Sequence, residues 1–144
     1  APLGVARPDF VERAFKAWDS PAIRFNRLME EPENFPPGGF VHVVVAMDEN
    51  IPVGRAITYT GWPSTIVLRP SAINFDDDID YGSVLVHEIG HALGLGHSTC
   101  QQSVMSFTYS SVMWEQLSPM DKDARDLLYP WVNHRSYLPV LSQH

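Results

Sequence analysis

Residues 86–97 read Val86-His87-Glu88-Ile89-Gly90-His91-Ala92-Leu93-Gly94-Leu95-Gly96-His97. On a helix, residues four apart share a face, so His87 and His91 can present both imidazoles to one ion. Glu88 follows His87 by one position, about 100° around the helix. It borders the ligand face without joining it, and its carboxylate can reach a water held at the ion. Gly94 lets the chain leave the helix through a conformation that a residue with a Cβ resists. The turn then returns His97 as a third ligand. Three imidazoles leave one position open on a tetrahedral zinc, which separates a catalytic site from a closed structural one.

The pair His-Glu-x-x-His is by itself only moderately specific, because amphipathic helices also carry both residue types. The extended pattern is far more specific. Chance would have to gather three of the chain's six histidines within 87–97, with a helix-ending glycine among them. At such a site zinc lowers the pKa of its water to about 7. Glu88 takes the proton as general base and delivers it to the leaving nitrogen of a peptide bond. No covalent intermediate is needed, and Cys100, three residues after His97, reads as an ordinary small side chain in a loop.

Outward from this segment, Gly82 to Leu95 reads as the central helix. Upstream, Asp9 to Trp18 is predicted as an amphipathic helix, with Phe10, Ala14, Phe15 and Trp18 on one side. Ala22 to Leu28 alternates as a strand, and Glu30 to Gly39, rich in proline and glycine, is a loop. Phe40 to Met47 is β-branched and reads as a buried strand. Arg55 to Thr60, Thr65 to Arg69 and the short Ala72 to Phe75 complete five expected strands, before the acidic run Asp76-Asp77-Asp78. Downstream, Leu117 to Tyr129 is a third helix, with Ser118 as N-cap, Pro119 at its first position and Pro130 as its stop. Residues 131–144 fall outside this pattern and are expected to form a C-terminal tail, leaving 1–130 as the catalytic domain.

The chain has 144 residues, 44% of them hydrophobic, enough for one compact domain. Its net charge of −7 argues against a nucleic-acid partner, whose binding surfaces are basic. It also argues against an electrostatic hold on anionic membranes, and no apolar run approaches the ~20 residues of a membrane span. A single cysteine excludes an intrachain disulfide. The start at Ala1-Pro2, without Met, fits either a processed or a trimmed chain.

His87-Glu88-Ile89-Gly90-His91-Ala92-Leu93-Gly94-Leu95-Gly96-His97, followed by Met105, resembles the metzincin metallopeptidases, and Ser98 after the third histidine resembles the matrixins among them. Ala14 to Trp18 with Ile23-Arg24-Phe25 is similar to the matrixin first helix and strand. Asn74 to Asp78 is similar to the acidic loop before the active-site helix, and Leu117 to Tyr129 to the final helix. The resemblance thus covers about Phe10 to Tyr129. It implies an α+β fold with a twisted, mostly parallel five-stranded sheet, one antiparallel edge strand, three helices and a Met-turn at Met105 beneath the zinc. It further implies a secreted, monomeric zinc-dependent endopeptidase acting on protein or peptide substrates.

By the same resemblance, substrate would lie extended along the edge strand at Ala56, Ile57 and Thr58. Phe107 and Tyr109 would contribute to the pocket wall. Asp121 matches an acidic position able to meet a freed N-terminal ammonium, and Asp76 is a candidate calcium ligand. The chain departs from the vertebrate pattern in placing Asn74 where a structural-zinc histidine is expected. His42 is the only histidine upstream of the motif, so one catalytic zinc and no structural zinc is predicted. Ser103 to Ser106 also resembles serralysins and astacins, but Phe107 stands where those families carry a ligating tyrosine. The alternatives are therefore such a metzincin peptidase, or a non-catalytic zinc-binding module for protein partners. The second gives no chemical reason to retain Glu88.

Overall fold

The computed structural model describes residues 5–23, 25–27, 40–61, 63–106, 114–130 and 140–143. Helix α1 (Pro8–Lys16) packs against helix α2 (Asp78–Ala92). Strands β1 (Phe25–Arg27), β2 (Phe40–Met47), β3 (Ala56–Tyr59) and β4 (Ser64–Leu68) precede α2 in the chain; helix α3 (Pro119–Leu128) and strand β5 (Val140–Gln143) follow it.

The α+β class stands, and the strands lie in the order β1-β5-β2-β4-β3, all neighbours parallel except the antiparallel edge pair β4-β3. The part of the sheet nearest α2 is the mixed set β2-β4-β3. β2 runs parallel to β4 with Val45 opposite Ile66, and β4 runs antiparallel to β3 with Val67 opposite Ile57. The antiparallel edge lies where the sequence placed it. Ala72 to Phe75, the fifth expected strand, is not one: a 3-10 turn at Pro70–Ala72 leads into it and the backbone beyond is irregular. Pro70 fixes φ and lacks an N–H for a ladder. Beyond it Asn74 Oδ1 accepts from the Asp76 N–H at 3.1 Å, and the Asn74 N–H donates to Asp80 at 2.8 Å. Side-chain bonds of this kind compete with strand pairing. On the far side of β2, the short strand β5 lies parallel between β2 and β1. Part of the segment expected as a tail thus extends the sheet. A four-residue strand is too short to show a period, and its ladder bonds are made by backbone that any sequence supplies.

α2 starts one turn earlier than Gly82. Asp77 caps it, accepting from the N–H groups of Ile79 at 2.9 Å and Asp80 at 3.2 Å. Such a cap is worth about 1 kcal/mol. Ser118 caps α3 in the same way, with the Asp121 N–H at 3.2 Å, and Pro119 opens the helix as expected.

The core lies between α2, α1 and the inner face of the sheet. Phe10, Ala14, Phe15 and Trp18 of the first helical segment meet Val84, Leu85 and Ile89, with Val43, Ile66 and Leu68 from the strands. Trp18 is wholly buried, and its indole N–H donates to the Val86 carbonyl at 2.9 Å, one residue before the first histidine. That bond satisfies the one polar atom of a large side chain and ties α1 to the stretch of α2 that carries the chemistry.

Candidate metal centre

α2 carries the buried His87 and Glu88 and the half-buried His91, and its C-terminal end sets the path of the chain beyond it. The Leu95 N–H reaches back to the Gly90 carbonyl at 2.9 Å, and the Gly94 N–H reaches the His91 carbonyl at 3.0 Å. These two bonds form a Schellman motif with Gly94 at the left-handed position, φ +106°. The turn has a chemical consequence. It aims the Leu95 carbonyl at His91 Nδ1, 2.8 Å away, and sends the chain back so that His97 faces the two helical imidazoles.

The third side of the site is the loop 98–106. The Ser98 N–H donates to the Met105 carbonyl at 2.8 Å, closing the loop, and the Met105 N–H donates to Ser103 Oγ at 2.9 Å. Met105 is buried with its sulfur against Gly90; a Cβ built on Gly90 would lie 2.2 Å from Met105 Sδ and 2.9 Å from Trp18 Cζ2. The expected turn methionine therefore sits under the helix that carries the histidines, and only glycine admits it there.

The three histidines converge. His91 Nε2 lies 3.1 Å from His87 Nε2 and 3.2 Å from His97 Nε2. The tautomers are set by the outer partners. His87 Nδ1 faces the Val104 carbonyl at 2.8 Å, and His91 Nδ1 faces Leu95. Carbonyls only accept, so both Nδ1 atoms carry the hydrogen, and both Nε2 atoms turn bare lone pairs toward each other. Two lone pairs at that distance repel unless a cation lies among them. Two imidazoles whose other nitrogens are held by backbone carbonyls, with a third facing them, form a donor set that suits zinc. Burial, opposed in part by the Val104 hydrogen bond, pushes the His87 pKa down to about 4. The ring is thus neutral at physiological pH, as a ligand must be. Among the described residues this is the one group of three or more histidine, cysteine or carboxylate side chains placed to share an ion.

Glu88 is buried, with Oε2 3.9 Å from His87 Nε2. Its other oxygen, Oε1, accepts from Thr58 Oγ1 at 3.0 Å. Of the residues expected to line the substrate path, Ala56, Ile57 and Thr58 lie on edge strand β3, while Phe107 and Tyr109 lie outside the described residues. Ala56 is buried, and the Thr58 hydroxyl is turned to Glu88.

The acidic run before α2 gives calcium at Asp76 no support. Asp77 caps the helix, Asp78 pairs with Arg7 at 2.7 Å, and Asp80 accepts from Arg55 and from the Asn74 N–H. Asp121 also finds a different use from the one expected. It is buried, with Oδ1 accepting from Ser103 Oγ and Oδ2 accepting from the Val104 N–H at 3.0 Å and Ser118 Oγ at 2.8 Å. Its carboxylate anchors the methionine loop to α3. The sequence marked Ser118 as the helix N-cap, but nothing in it tied Ser118 and Asp121 to Ser103 and Val104. The Val104 and Leu95 carbonyls that orient the histidines carry no side-chain signature at all.

A family model described as Matrixin, of peptidase class M10, matches residues 35–130. Matrix metalloproteinase-25 of Mus musculus is 41% identical over 58 residues, which cover 38% of this chain and 9% of that protein. The chain thus spans less than a tenth of the curated relative's length in that match.

Proposed function

The chain belongs to the matrixin family, and on that premise we propose that it is a zinc-dependent endopeptidase with Glu88 as general base. The observation that carries this reading is the pairing of His87 Nδ1 with Val104 and His91 Nδ1 with Leu95, which leaves both Nε2 lone pairs convergent with His97. His87, His91 and His97 would hold the zinc. When bound, zinc supplies Lewis-acid chemistry that acidifies water and polarises a carbonyl.

The chain's own groups do the rest. Glu88 Oε2 faces the imidazole cluster, so it is the oxygen that takes a proton from the attacking water and hands it to the departing amine nitrogen. Burial of Glu88 keeps bulk water from competing for that carboxylate. The extended backbone of β3, at the sheet edge, offers to an extended peptide ladder positions that no other described strand pairs. Residues 1–130 are taken as the unit that carries this chemistry, with β5 adding to its sheet. The substrate is a protein or peptide, the working form is a monomer, and the setting is extracellular, as for the family.

The test is Glu88→Ala. The variant should bind zinc at the wild-type stoichiometry and lose peptide hydrolysis by several orders of magnitude. Retained hydrolysis would remove Glu88 as the base. A wild type that binds zinc yet cleaves no peptide would favour a non-catalytic binding module instead.

A further inference from the structure

We propose that Thr58 is a positioning residue that holds the Glu88 carboxylate in its working orientation. The inference rests on the reading of Glu88 as general base. Thr58 lies at the third position of edge strand β3 (Ala56–Tyr59), which packs against α2. From there its Oγ1 lies 3.0 Å from Glu88 Oε1 and 3.1 Å from the Glu88 main-chain carbonyl. One hydroxyl carries one proton, and an ionised carboxylate is the stronger acceptor, so the bond goes chiefly to Oε1. The two carboxylate oxygens then have separate tasks. Oε1 is tied to the strand, while Oε2 is left on the side of His87 Nε2, 3.9 Å away.

The terminal torsion of a glutamate is broad and roughly two-fold. Burial alone would confine the side chain without choosing which plane the carboxylate adopts. A donor on the neighbouring strand makes that choice, and it couples the base to the same edge along which a peptide would lie. Thr suits the post for two reasons. Its branched Cβ fits a strand, and its hydroxyl is the feature that valine of the same shape lacks.

Two substitutions separate positioning from packing. Thr58→Val keeps the shape and removes the donor; Thr58→Ser keeps the donor and loses a methyl. In the zinc-loaded protein, Thr58→Val should lower kcat about 10- to 100-fold, the scale of a misplaced catalytic group. KM should change by less than about threefold, because the ground-state contacts are intact. Thr58→Ser should return kcat toward the wild-type value. A second readout is independent of turnover. In a cycle of thermal midpoints on the zinc-loaded proteins, Thr58→Val should lower the midpoint by several degrees with Glu88 present. The shift should be clearly smaller in the Glu88→Ala background.

If the wild type is active and Thr58→Val matches it, the inference fails while the base assignment stands. Equal loss in the Val and Ser variants, or equal thermal shifts in both backgrounds, also overturns it. A wild type without hydrolysis overturns the base assignment and the inference together.

Discussion

His87 and Val104, seventeen residues apart, are joined by a 2.8 Å hydrogen bond from the imidazole Nδ1 to the backbone carbonyl. That bond fixes the tautomer of the most buried histidine of the cluster. It also makes the proposed metal centre depend on the methionine loop, whose position is set in turn by Asp121.

Asp121→Ala should therefore act at a distance. It removes the acceptor of the Val104 N–H and of two serine hydroxyls. Leaving such buried donors unmet costs about 2–4 kcal/mol in all. Loosening a partner of a ligand histidine typically lowers metal affinity about 10- to 100-fold. Urea unfolding and zinc competition with a chelator would measure both, and unchanged zinc affinity would show that Val104 holds its place without Asp121.

Gly90→Ala tests the seat of the methionine. The new Cβ would meet Met105 Sδ at 2.2 Å and Trp18 Cζ2 at 2.9 Å. Overpacking of this kind costs about 1–3 kcal/mol. Gly96→Ala is the control, since a Cβ there meets nothing within 4 Å among the described residues. Denaturation midpoints should fall for the first and hold for the second.

Gly94→Ala separates conformation from crowding. Its Cβ would make only an ordinary contact, 3.6 Å from Leu128 Cδ1, but φ is +106°. The expected cost is about 1–2 kcal/mol from backbone strain. The same strain should weaken zinc binding, because the Leu95 carbonyl that orients His91 belongs to that turn. Stability lost with zinc affinity kept would break the link between the turn and the ligand.

Acid should destabilise the zinc-free protein in a defined window. Burial lowers the His87 pKa from 6.5 to about 4 in the folded state. Between these values the unfolded chain binds a proton that the folded chain does not, so stability falls as pH drops from 6.5 toward 4. Below that range the contribution is fully lost and the slope from this group vanishes. Unfolding free energies against pH, compared with those of His87→Gln, would show the difference as a shallower acid limb in the variant.

The sequence disclosed the parts of this molecule that repeat a local rule. The spacing of His87, His91 and His97 with Gly94, the caps at Ser118 and Pro119, and the β-branched run of Phe40 to Met47 each depend on neighbours in the chain, and each is where it was expected. Contacts between distant segments were not legible. Nothing in Thr58 announces that its hydroxyl meets Glu88, thirty residues away, and an edge-strand threonine reads equally well as a substrate contact. Ala72 to Phe75 had the composition of a strand, but Pro70 and the side-chain bonds of Asn74 diverted it. Val140–Gln143 looked like a tail because a strand that short is specified by the edges it joins, not by its own pattern.

The central claim is tested most directly by cleavage of a broad peptide library by the purified chain, first as prepared, then after chelation, then with zinc restored. Hydrolysis should be abolished by the chelator and restored by about one equivalent of zinc per chain. Hydrolysis that survives complete removal of zinc would contradict it, as would a zinc-loaded chain that cleaves nothing in the library.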